Sequence, residues 1–442
     1  MSDFDHSGSL EPMFLKGPTI NPVTLIHEPP EASVERIQQP VELREGIILR
    51  SIKKAERLGK VSPSAMRHLF DIAREMTEKG KTVYNFGLGD INLGLPSTVR
   101  EALIRAIDEG HTTYGPNAGE IILRQRIQKK YLERYGVDVK DNIVVTCGAL
   151  ESLLDTMMAF LNPGDEFLVH EPAFGYFTHQ GLLAGGIPVS IESDPQNFAI
   201  SADDIAAAIT NKTKIFVLNF PTNPTGAILP RSELERIIEV CREHNLIVVS
   251  DECYENITYD GHKHVSALEF GYENTIVVNS CSKSLCMTGL RVGYCVTTNP
   301  DLYGPVLQVH QYNTASASKP LQIAVAIALE DEDEITKRNL EILQKRRAAA
   351  LRSFGNIPGI RNTFIHKGAF YLYPSVEGTG MTGDEFSEFS LGEGVVVVPG
   401  SSFGSIDGKG TKYFVRISYG FVDGVNEIEK AGAVLTDALE NR

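Results

Sequence analysis

Short β-rich runs alternate with helical stretches through the middle of this 442-residue chain, and this alternation limits the possible folds more than any other feature. Each run is rich in branched apolar residues, and a turn or an amphipathic helical pattern separates it from the next. The runs lie at residues 142–146, 167–170, 187–192, 215–220, 246–250, 275–279 and 292–296. Such alternation predicts an α/β fold, a largely parallel sheet with helices on both faces.

The chain is longer than one hydrophobic core usually supports, so we expect more than one domain. After Pro320 a long helical pattern continues to about Phe354, and shorter β-rich runs follow it at 368–373, 394–398 and 413–419. We therefore expect a large domain at 97–319 and a smaller α+β domain formed by 49–96 and 320–442.

The first 48 residues differ from the rest because Pro and Gly are frequent and apolar residues show little periodicity. This composition predicts an extended N-terminal arm at 1–48. Such an arm could be disordered or could wrap around a partner subunit.

Charge and hydropathy argue against two classes of partner. Lys and Arg number 42 against 57 Asp and Glu, and the resulting net charge of −15 repels the phosphate backbone of nucleic acids. The apolar run at 321–329 is too short to span a bilayer. The first residues do not show the positively charged stretch followed by an apolar stretch that is typical of a signal peptide. We expect a cytoplasmic protein that binds neither nucleic acid nor membrane.

Cysteine and histidine spacing does not indicate a metal site. The six cysteines form no CxxC pair, which favours reduced thiols over a disulfide framework or a zinc site. His262 and His264 form an HxH pair, but they follow a predicted turn with no other ligand nearby. We expect solvated loop histidines and no bound metal.

Polar residues follow three of the predicted strands, where ligands of open α/β sheets bind. Ser280 and Ser282 precede Lys283, and Arg291 follows it, while Asp251 comes directly after the run at 246–250. Pyridoxal phosphate needs three groups from a protein: an amine that forms a Schiff base with its aldehyde, a cation near its phosphate and a carboxylate that keeps its pyridine nitrogen protonated. Lys283, Arg291 and Asp251 could supply these three. Taken one at a time, a Lys or Arg after a strand is more often a solvated surface charge.

Three longer motifs resemble, in order and spacing, the signatures of class I/II aminotransferases, which are fold-type I pyridoxal-phosphate enzymes related to aspartate aminotransferase. They are Asn-Phe-Pro-Thr-Asn-Pro-Thr-Gly at 219–226, Ser-Asp-Glu-Cys-Tyr at 250–254 and the segment 280–294. Weaker matches lie at 114–119, 162–166, 368–371 and 398–403. The resemblance runs from about Lys53 to the end, and it implies that the domain at 97–319 binds pyridoxal 5'-phosphate.

The resemblance implies a role for each matching residue near the reacting atoms. Lys283 would carry the cofactor as a Schiff base and later move the substrate's Cα proton. Asp251 would bond the pyridine N–H, and Asn223 and Tyr254 would donate to the phenolic oxygen. Phe174 would stack on the pyridine ring, although a core phenylalanine is the alternative.

The resemblance also implies a phosphate site and a dimer. The expected phosphate ligands are Gly148, Ala149, Leu150, Ser280, Ser282 and Arg291. The first three open a helical segment, whose N–H groups favour anions, and Arg offers a bidentate fork. Tyr114 matches a tyrosine that reaches the phosphate from the other subunit, so we expect a homodimer with shared active sites.

Substrate binding is expected at Arg416, which lies within a predicted strand where an unpaired charge would be costly. The substrate α-carboxylate is its natural partner, with Gly87 and Asn223 beside it. The segment around Gly87 departs from the family pattern, so a plain turn glycine is the alternative. Neither Ala149 nor Leu150 is the lysine that some aspartate-specific relatives place there, which favours an apolar, aromatic or broad range of side chains.

The expected reaction is ping-pong transamination between an L-amino acid and a 2-oxo acid, with 2-oxoglutarate as acceptor. Aspartate, alanine, aromatic amino acids and diaminopimelate all remain open as donors. A carbon–sulfur β-lyase of the same fold is the alternative enzyme. A ligand-sensing regulator built on the same fold would need an attached DNA-binding module, and the proline-rich arm is a poor candidate for one. A binding protein that has lost its chemistry would not need the complete set of Lys283, Asp251, Tyr254 and Arg416.

Overall fold

Strands and helices alternate along most of the chain, as the sequence pattern predicts. The computed structural model describes residues 53–61, 65–404 and 411–442, with the side chains of 65–68 left aside. The strands are β1 (Tyr84–Asn85), β2 (Ile143–Thr146), β3 (Glu166–Glu171), β4 (Ile187–Glu192), β5 (Thr213–Asn219), β6 (Ile247–Asp251), β7 (Thr275–Ser280), β8 (Gly293–Thr297), β9 (Tyr371–Leu372), β10 (Val395–Val396), β11 (Val398–Pro399) and β12 (Val415–Ser418).

The helices follow the predicted pattern with one correction. They are α1 (Ala65–Glu78), α2 (Ser97–Asp108), α3 (Ile121–Tyr135), α4 (Ala149–Phe160), α5 (Tyr176–Leu183), α6 (Ala202–Ala208), α7 (Arg231–Glu243), α8 (Pro300–Asn313), α9 (Lys319–Ala328), α10 (Glu332–Gly355), α11 (Gly383–Gly392) and α12 (Val425–Glu440). The single long helix predicted after Pro320 is wrong, because a turn at 329–331 separates α9 from α10. An acidic first turn then favours the start of α10.

Seven strands form the main sheet in the order β2-β8-β7-β6-β5-β3-β4, and every pair except those made by β8 is parallel. Side chains alternate between its faces. Ile143 and Val145 pack with α2, α3 and α9, whereas Val144 packs with α4, α5 and α8. Apolar residues therefore cover both faces, as a largely parallel sheet requires. The predicted α/β class is confirmed.

The direction of β8 brings a distant part of the chain to the edge where the other strands end. Because β8 is antiparallel to β2 and to β7, it begins where both of them end. Its first residue, Gly293, lies beside the start of α4, where an added Cβ would come within 2.5 Å of the Ala149 nitrogen. The residues before β8 thus join those after β2, β5, β6 and β7 at one edge.

Two smaller sheets pack with the C-terminal helices. Strands β11, β12 and β9 form an antiparallel sheet, and β1 pairs in parallel with β10. Side chains of α10 and α12, such as Phe354 and Leu435, share an apolar cluster with Ile417 of β12. These elements fit the predicted α+β composition of 320–442.

Two predictions on domain organisation stay predictions. Residues 54–442 cluster into one compact unit, which does not test the division into 97–319 against 49–96 and 320–442. The predicted arm at 1–48 lies outside the described residues. Within the described ranges, none of the helices combines the length and the apolar character needed to cross a membrane.

Candidate active site

A cavity of about 250 Å³ opens at the edge where the parallel strands end. Most of the residues singled out from the sequence line it. They are Gly87, Ala149, Leu150, Phe174, Asn223, Asp251, Tyr254, Ser280, Ser282, Lys283, Arg291 and Arg416. The topology therefore gathers side chains that are up to 329 residues apart in sequence, as the contact between Gly87 and Arg416 shows.

Two of the predicted residues do not line the cavity. Gly148 lies behind it, so close to the Arg291 guanidinium that an added Cβ would come within 2.6 Å of Nη2. Tyr114 is 91% exposed and lies away from the cavity within this chain.

Lys283 follows β7 and reaches across the cavity with its amine. Its Nζ donates a hydrogen bond of 2.5 Å to the Gly89 carbonyl oxygen. Burial lowers the pKa of the Lys283 amine, since desolvation disfavours the ammonium form, although Cys253 and Asp90 partly oppose the shift. The neutral amine, which is the nucleophilic form, is thereby more accessible than in a solvated lysine.

Asp251 ends β6 with its carboxylate buried against the cavity, only 6% exposed. Burial raises the pKa of this carboxyl group, while hydrogen bonds from the Cys253 backbone and thiol oppose the rise. The Cys253 amide donates to Oδ1 at 3.1 Å. A buried carboxylate is costly unless a charged or N–H group meets it. The cavity face of Asp251 is thus suited to a ligand that carries such a group.

A chain of hydrogen bonds connects the strand ends to Arg416. The Asn219 side chain donates to the Asp251 carbonyl at 3.0 Å, and its Oδ1 accepts from the Asn223 amide at 3.0 Å. Arg416 Nη1 then donates to Asn223 Oδ1 at 3.0 Å, and Nη2 donates to the Gly87 carbonyl at 2.6 Å. These contacts fix the plane of the guanidinium group at the cavity wall.

Aromatic rings surround the same guanidinium group. Arg416 is 2% exposed, and its Cζ lies 4.8 Å from the ring centres of both Tyr371 and Phe403. Burial lowers the pKa of Arg416, yet an arginine stays protonated at any physiological pH. The Tyr371 hydroxyl lies 2.7 Å from that of Tyr254. A cation held in such an enclosed place suits a carboxylate ligand.

A cluster of donors at the start of α4 forms what we call the anion-binding cup, made of Gly148, Ala149, Leu150, Ser280, Ser282 and Arg291. Gly148 has φ of 86°, which lets the chain turn sharply into α4, and its own N–H donates to the Thr146 carbonyl at 2.8 Å. The N–H groups of Ala149 and Leu150, in the first turn of α4, have no partner within the helix and can meet a ligand. Ser280 Oγ lies 2.8 Å from Ser282 Oγ, and Arg291 Nη1 is tied to the Thr288 carbonyl at 2.9 Å. A helix N-terminus, hydroxyls and an arginine together favour an anion.

Sequence reasoning missed several residues of the cavity wall: Phe70, Gly89, Leu153, Tyr176, Asn219, Cys253, Thr288 and Tyr371. Asn219, Cys253 and Tyr371 stood inside the quoted motifs, so the motifs themselves were the available signal. Thr288 stood inside the quoted segment 280–294 as well, whereas Phe70 lies in none of the motifs and only the tertiary packing brings it to the cavity.

One prediction about the HxH pair is wrong. His264 is not a solvated loop histidine, because its Nε2 lies 3.0 Å from Glu252 Oε2 and its ring packs edge-on to Tyr135. Burial disfavours its charged form, but the neighbouring Glu252 raises the His264 pKa overall. His262 is exposed, as expected.

Comparison with known proteins finds a match to the family described as aminotransferase class I and II over residues 81–428. The aspartate aminotransferase of Pyrococcus horikoshii is 34% identical over 387 residues, which cover 85% of this chain and 96% of the relative. The aromatic-amino-acid aminotransferase 2 of Thermococcus litoralis is 35% identical over 377 residues, covering 83% and 93%.

Solved structures agree with these sequence matches. The aspartate aminotransferase from Thermus thermophilus with maleate superimposes with a TM-score of 0.83 at 29% identity. The match covers 88% of this chain and 100% of that structure. The two proteins therefore share the same overall fold over most of this chain.

Proposed function

The chain belongs to the class I and II aminotransferases, which depend on pyridoxal 5'-phosphate, and from this premise we propose the reaction and the residues that carry it. The reaction is ping-pong transamination from an L-amino acid to a 2-oxo acid, with 2-oxoglutarate as acceptor. The observation that supports it best is that Lys283, Asp251 and every residue of the anion-binding cup except Gly148 line one cavity.

The residues present fit the cofactor at each of its functional groups. The cup offers backbone N–H groups and Arg291 to the phosphate, and Asp251 offers a buried carboxylate to the pyridine N–H. Gly148 fits a tight approach, because a Cβ there would fill the space against Arg291. When bound, the cofactor supplies an electron sink for the negative charge that develops at the substrate Cα.

Lys283 has two roles in this proposal. Its amine would hold the cofactor as a Schiff base, which requires the unprotonated form that burial favours. With the substrate amine in its place, the freed Lys283 amine would accept the proton from the substrate Cα and deliver it to the cofactor's C4′. The Gly89 carbonyl, 2.5 Å from Nζ, orients the amine between these events.

Asp251, Asn223 and Tyr254 set the electronic state of the bound ring. The Asp251 carboxylate keeps the pyridine nitrogen protonated, and the Asn223 amide and Tyr254 hydroxyl donate to the phenolic oxygen. The contact of 2.7 Å between Tyr254 and Tyr371 orients that hydroxyl. Phe174, held by its stacking on Tyr176 at 4.7 Å, covers one face of the ring.

Arg416 binds the α-carboxylate of both substrates, with Asn223 and Gly87 fixing its guanidinium plane. The cavity wall includes the aromatic residues Phe70, Tyr176 and Tyr371, of which Tyr371 lies against Arg416. We therefore favour aromatic and other apolar amino acids as donors. Relatives named for aspartate match this chain at 34% and 38% identity, and one named for aromatic amino acids matches at 35%.

A homodimer with shared active sites completes the proposal. Tyr114 lies away from its own cavity, and exposed apolar residues such as Ile121, Ile122 and Tyr312 provide a surface for a second copy. Mixing a Tyr114→Ala variant with a Lys283→Ala variant should restore activity above either alone, because one hybrid site is intact. No recovery on mixing, with hybrids shown to form, would place Tyr114 outside the partner's site.

We also place the enzyme in the cytoplasm, since all six cysteines are free thiols.

A single-turnover experiment tests the reaction. Each of a panel of L-amino acids is mixed with the holoenzyme without acceptor, and released products are quantified. Transamination yields one equivalent of 2-oxo acid and no ammonia, and 2-oxoglutarate then restores turnover. Continuous release of pyruvate and ammonia from a cysteine conjugate would instead identify a carbon–sulfur β-lyase and overturn the proposal.

A further inference from the structure

Three ionisable side chains lie buried directly behind the anion-binding cup. Glu151 and Asp155 stand one turn apart on α4, and His310 approaches them from α8. Asp155 and His310 are fully buried, and Glu151 is 9% exposed. The proposed chemistry uses none of them, although Glu151 directly follows the cup residue Leu150.

Glu151 ties the cup to α8. Its Oε2 accepts a hydrogen bond of 2.5 Å from the Cys147 amide, in the turn that leads into Gly148. Its Oε1 lies 3.1 Å from His310 Nδ1 and also accepts from the Thr314 hydroxyl. The shape of the turn at the cup therefore depends on a carboxylate whose other oxygen is held by α8.

Asp155 adds a second carboxyl group at the same place; burial raises its pKa, and the contacts with His310 and Asn313 oppose the rise and favour the charged form. Its Oδ2 lies 3.6 Å from His310 Nδ1, and Oδ1 accepts from Asn313 at 3.0 Å. A phosphate in the cup would bring further negative charge, and like charges in a buried region repel strongly. Two uncompensated carboxylates would thus oppose the ligand that the cup is built to hold.

We propose that His310 is a positioning residue whose protonated ring compensates Glu151 and Asp155, so that the cup can bind a dianionic phosphate. This inference rests on the proposed assignment of the cup to the cofactor's phosphate. His310 touches neither cofactor nor substrate in this account. It acts through Glu151, both by holding the turn at Cys147 and by cancelling charge.

The surroundings of His310 support this charge state. The ionisable groups that face His310 are Glu151 and Asp155 from α4. Cys147, before that helix, and Cys295, on β8, lie near the same two carboxylates. Burial alone would lower the His310 pKa, but the hydrogen bonds to Asp155 and Glu151 raise it to about 9. The ring is then charged at neutral pH, and its compensation is lost as pH rises through about 9.

The same three side chains could also hold a metal ion, since their ligand atoms lie within 4.8 Å of one another. The direct contact of 3.1 Å between His310 and Glu151 favours the ion pair over a bridging cation. Metal analysis of the purified holoenzyme separates the two. A stoichiometric metal that disappears in a His310→Gln variant would overturn the proposal.

The main test measures how tightly the apoenzyme binds pyridoxine 5'-phosphate, which cannot attach covalently to Lys283. His310→Gln should weaken binding on the order of tenfold, and unphosphorylated pyridoxine should be unaffected. Adding Glu151→Gln to His310→Gln should recover part of the loss, because it removes the nearer of the two uncompensated carboxylates and keeps an acceptor for Cys147. The exposed His244 provides a matched His→Gln control.

Each outcome separates the inference from the proposed function. If Arg291→Gln weakens binding but His310→Gln does not, the role of His310 is wrong and the cup stands. If Arg291→Gln has no effect, the assignment of the cup to phosphate fails as well. Should His310→Gln not fold, the wild-type protein suffices, because its affinity must fall between about pH 8 and 10, and a flat profile there would refute the proposal.

Discussion

Replacing Gly148 by alanine tests how tightly the anion-binding cup is built. Gly148 has φ of 86°, a conformation that costs a residue with a Cβ about 1–2 kcal/mol. The new Cβ would also lie 2.6 Å from Arg291 Nη2 and 3.0 Å from Cζ. Because the Arg291 guanidinium is the far end of a flexible, exposed side chain, we expect it to shift away from the new Cβ while the backbone keeps its conformation.

Displacing Arg291 removes a bidentate partner from the phosphate. A hydrogen bond to a charged group contributes about 1.5–3 kcal/mol, so the cofactor's affinity should fall by roughly ten- to a hundredfold. The melting temperature of the apoenzyme should fall only slightly. The lost contact is between Arg291 and the cofactor's phosphate, which the apoenzyme does not contain, so only the backbone strain at residue 148 lowers its stability.

The assay is titration of apoenzyme with pyridoxal 5'-phosphate, followed by absorbance, together with thermal melts. Gly164→Ala is the matched control, because Gly164 has φ of 97° but nothing lies within 4 Å of its added Cβ. It should reproduce the loss of stability without the loss of affinity. Equal affinities for Gly148→Ala and the wild type would refute the placement of the cup.

Three further predictions concern the rest of the cavity. Arg416→Lys should lower kcat/KM by about a hundredfold for every donor, since the fork to the carboxylate is lost, and steady-state kinetics measure this. Asp251→Asn should lower kcat by orders of magnitude and shift the bound cofactor's absorbance, while leaving the fold intact by circular dichroism. Lys283→Met should raise the melting temperature of the apoenzyme at pH 7. The folded-state pKa of Lys283 lies below its unfolded value, so its stability cost is present at low pH and disappears as pH rises toward about 10.4. The gain should therefore shrink in alkaline buffer, and a constant gain would contradict the lowered pKa.

The central strands of the sheet could be predicted from the sequence because they are buried on both faces and rich in apolar residues. The run predicted at 275–279, for example, forms the fully buried β7 (Thr275–Ser280). The run at 187–192 forms β4 (Ile187–Glu192), an edge strand that is mostly exposed or half-buried, so there the alternating pattern was the signal. The turn between α9 and α10 could not be predicted, since Leu329, Glu330 and Asp331 include no Gly or Pro to mark it.

The cavity wall shows a similar division. Asp251 is the last residue of β6 and Lys283 lies in the loop after β7, where chain topology alone places ligand-binding groups. Phe70 and Gly89 reach the cavity through packing between segments far apart in sequence, which no local pattern encodes. His264 was mistaken for a surface residue because its partner Glu252 is close only in the folded chain.

The covalent attachment of the cofactor at Lys283 is the claim on which the rest depends. Treating the holoenzyme with sodium borohydride reduces the linkage and makes it permanent, and mass spectrometry of the digested protein then locates it. We predict a phosphopyridoxyl group on the peptide containing Lys283 and on no other lysine, with none in Lys283→Ala. A label on a different lysine, or an unlabelled Lys283 in protein saturated with cofactor, would contradict the account.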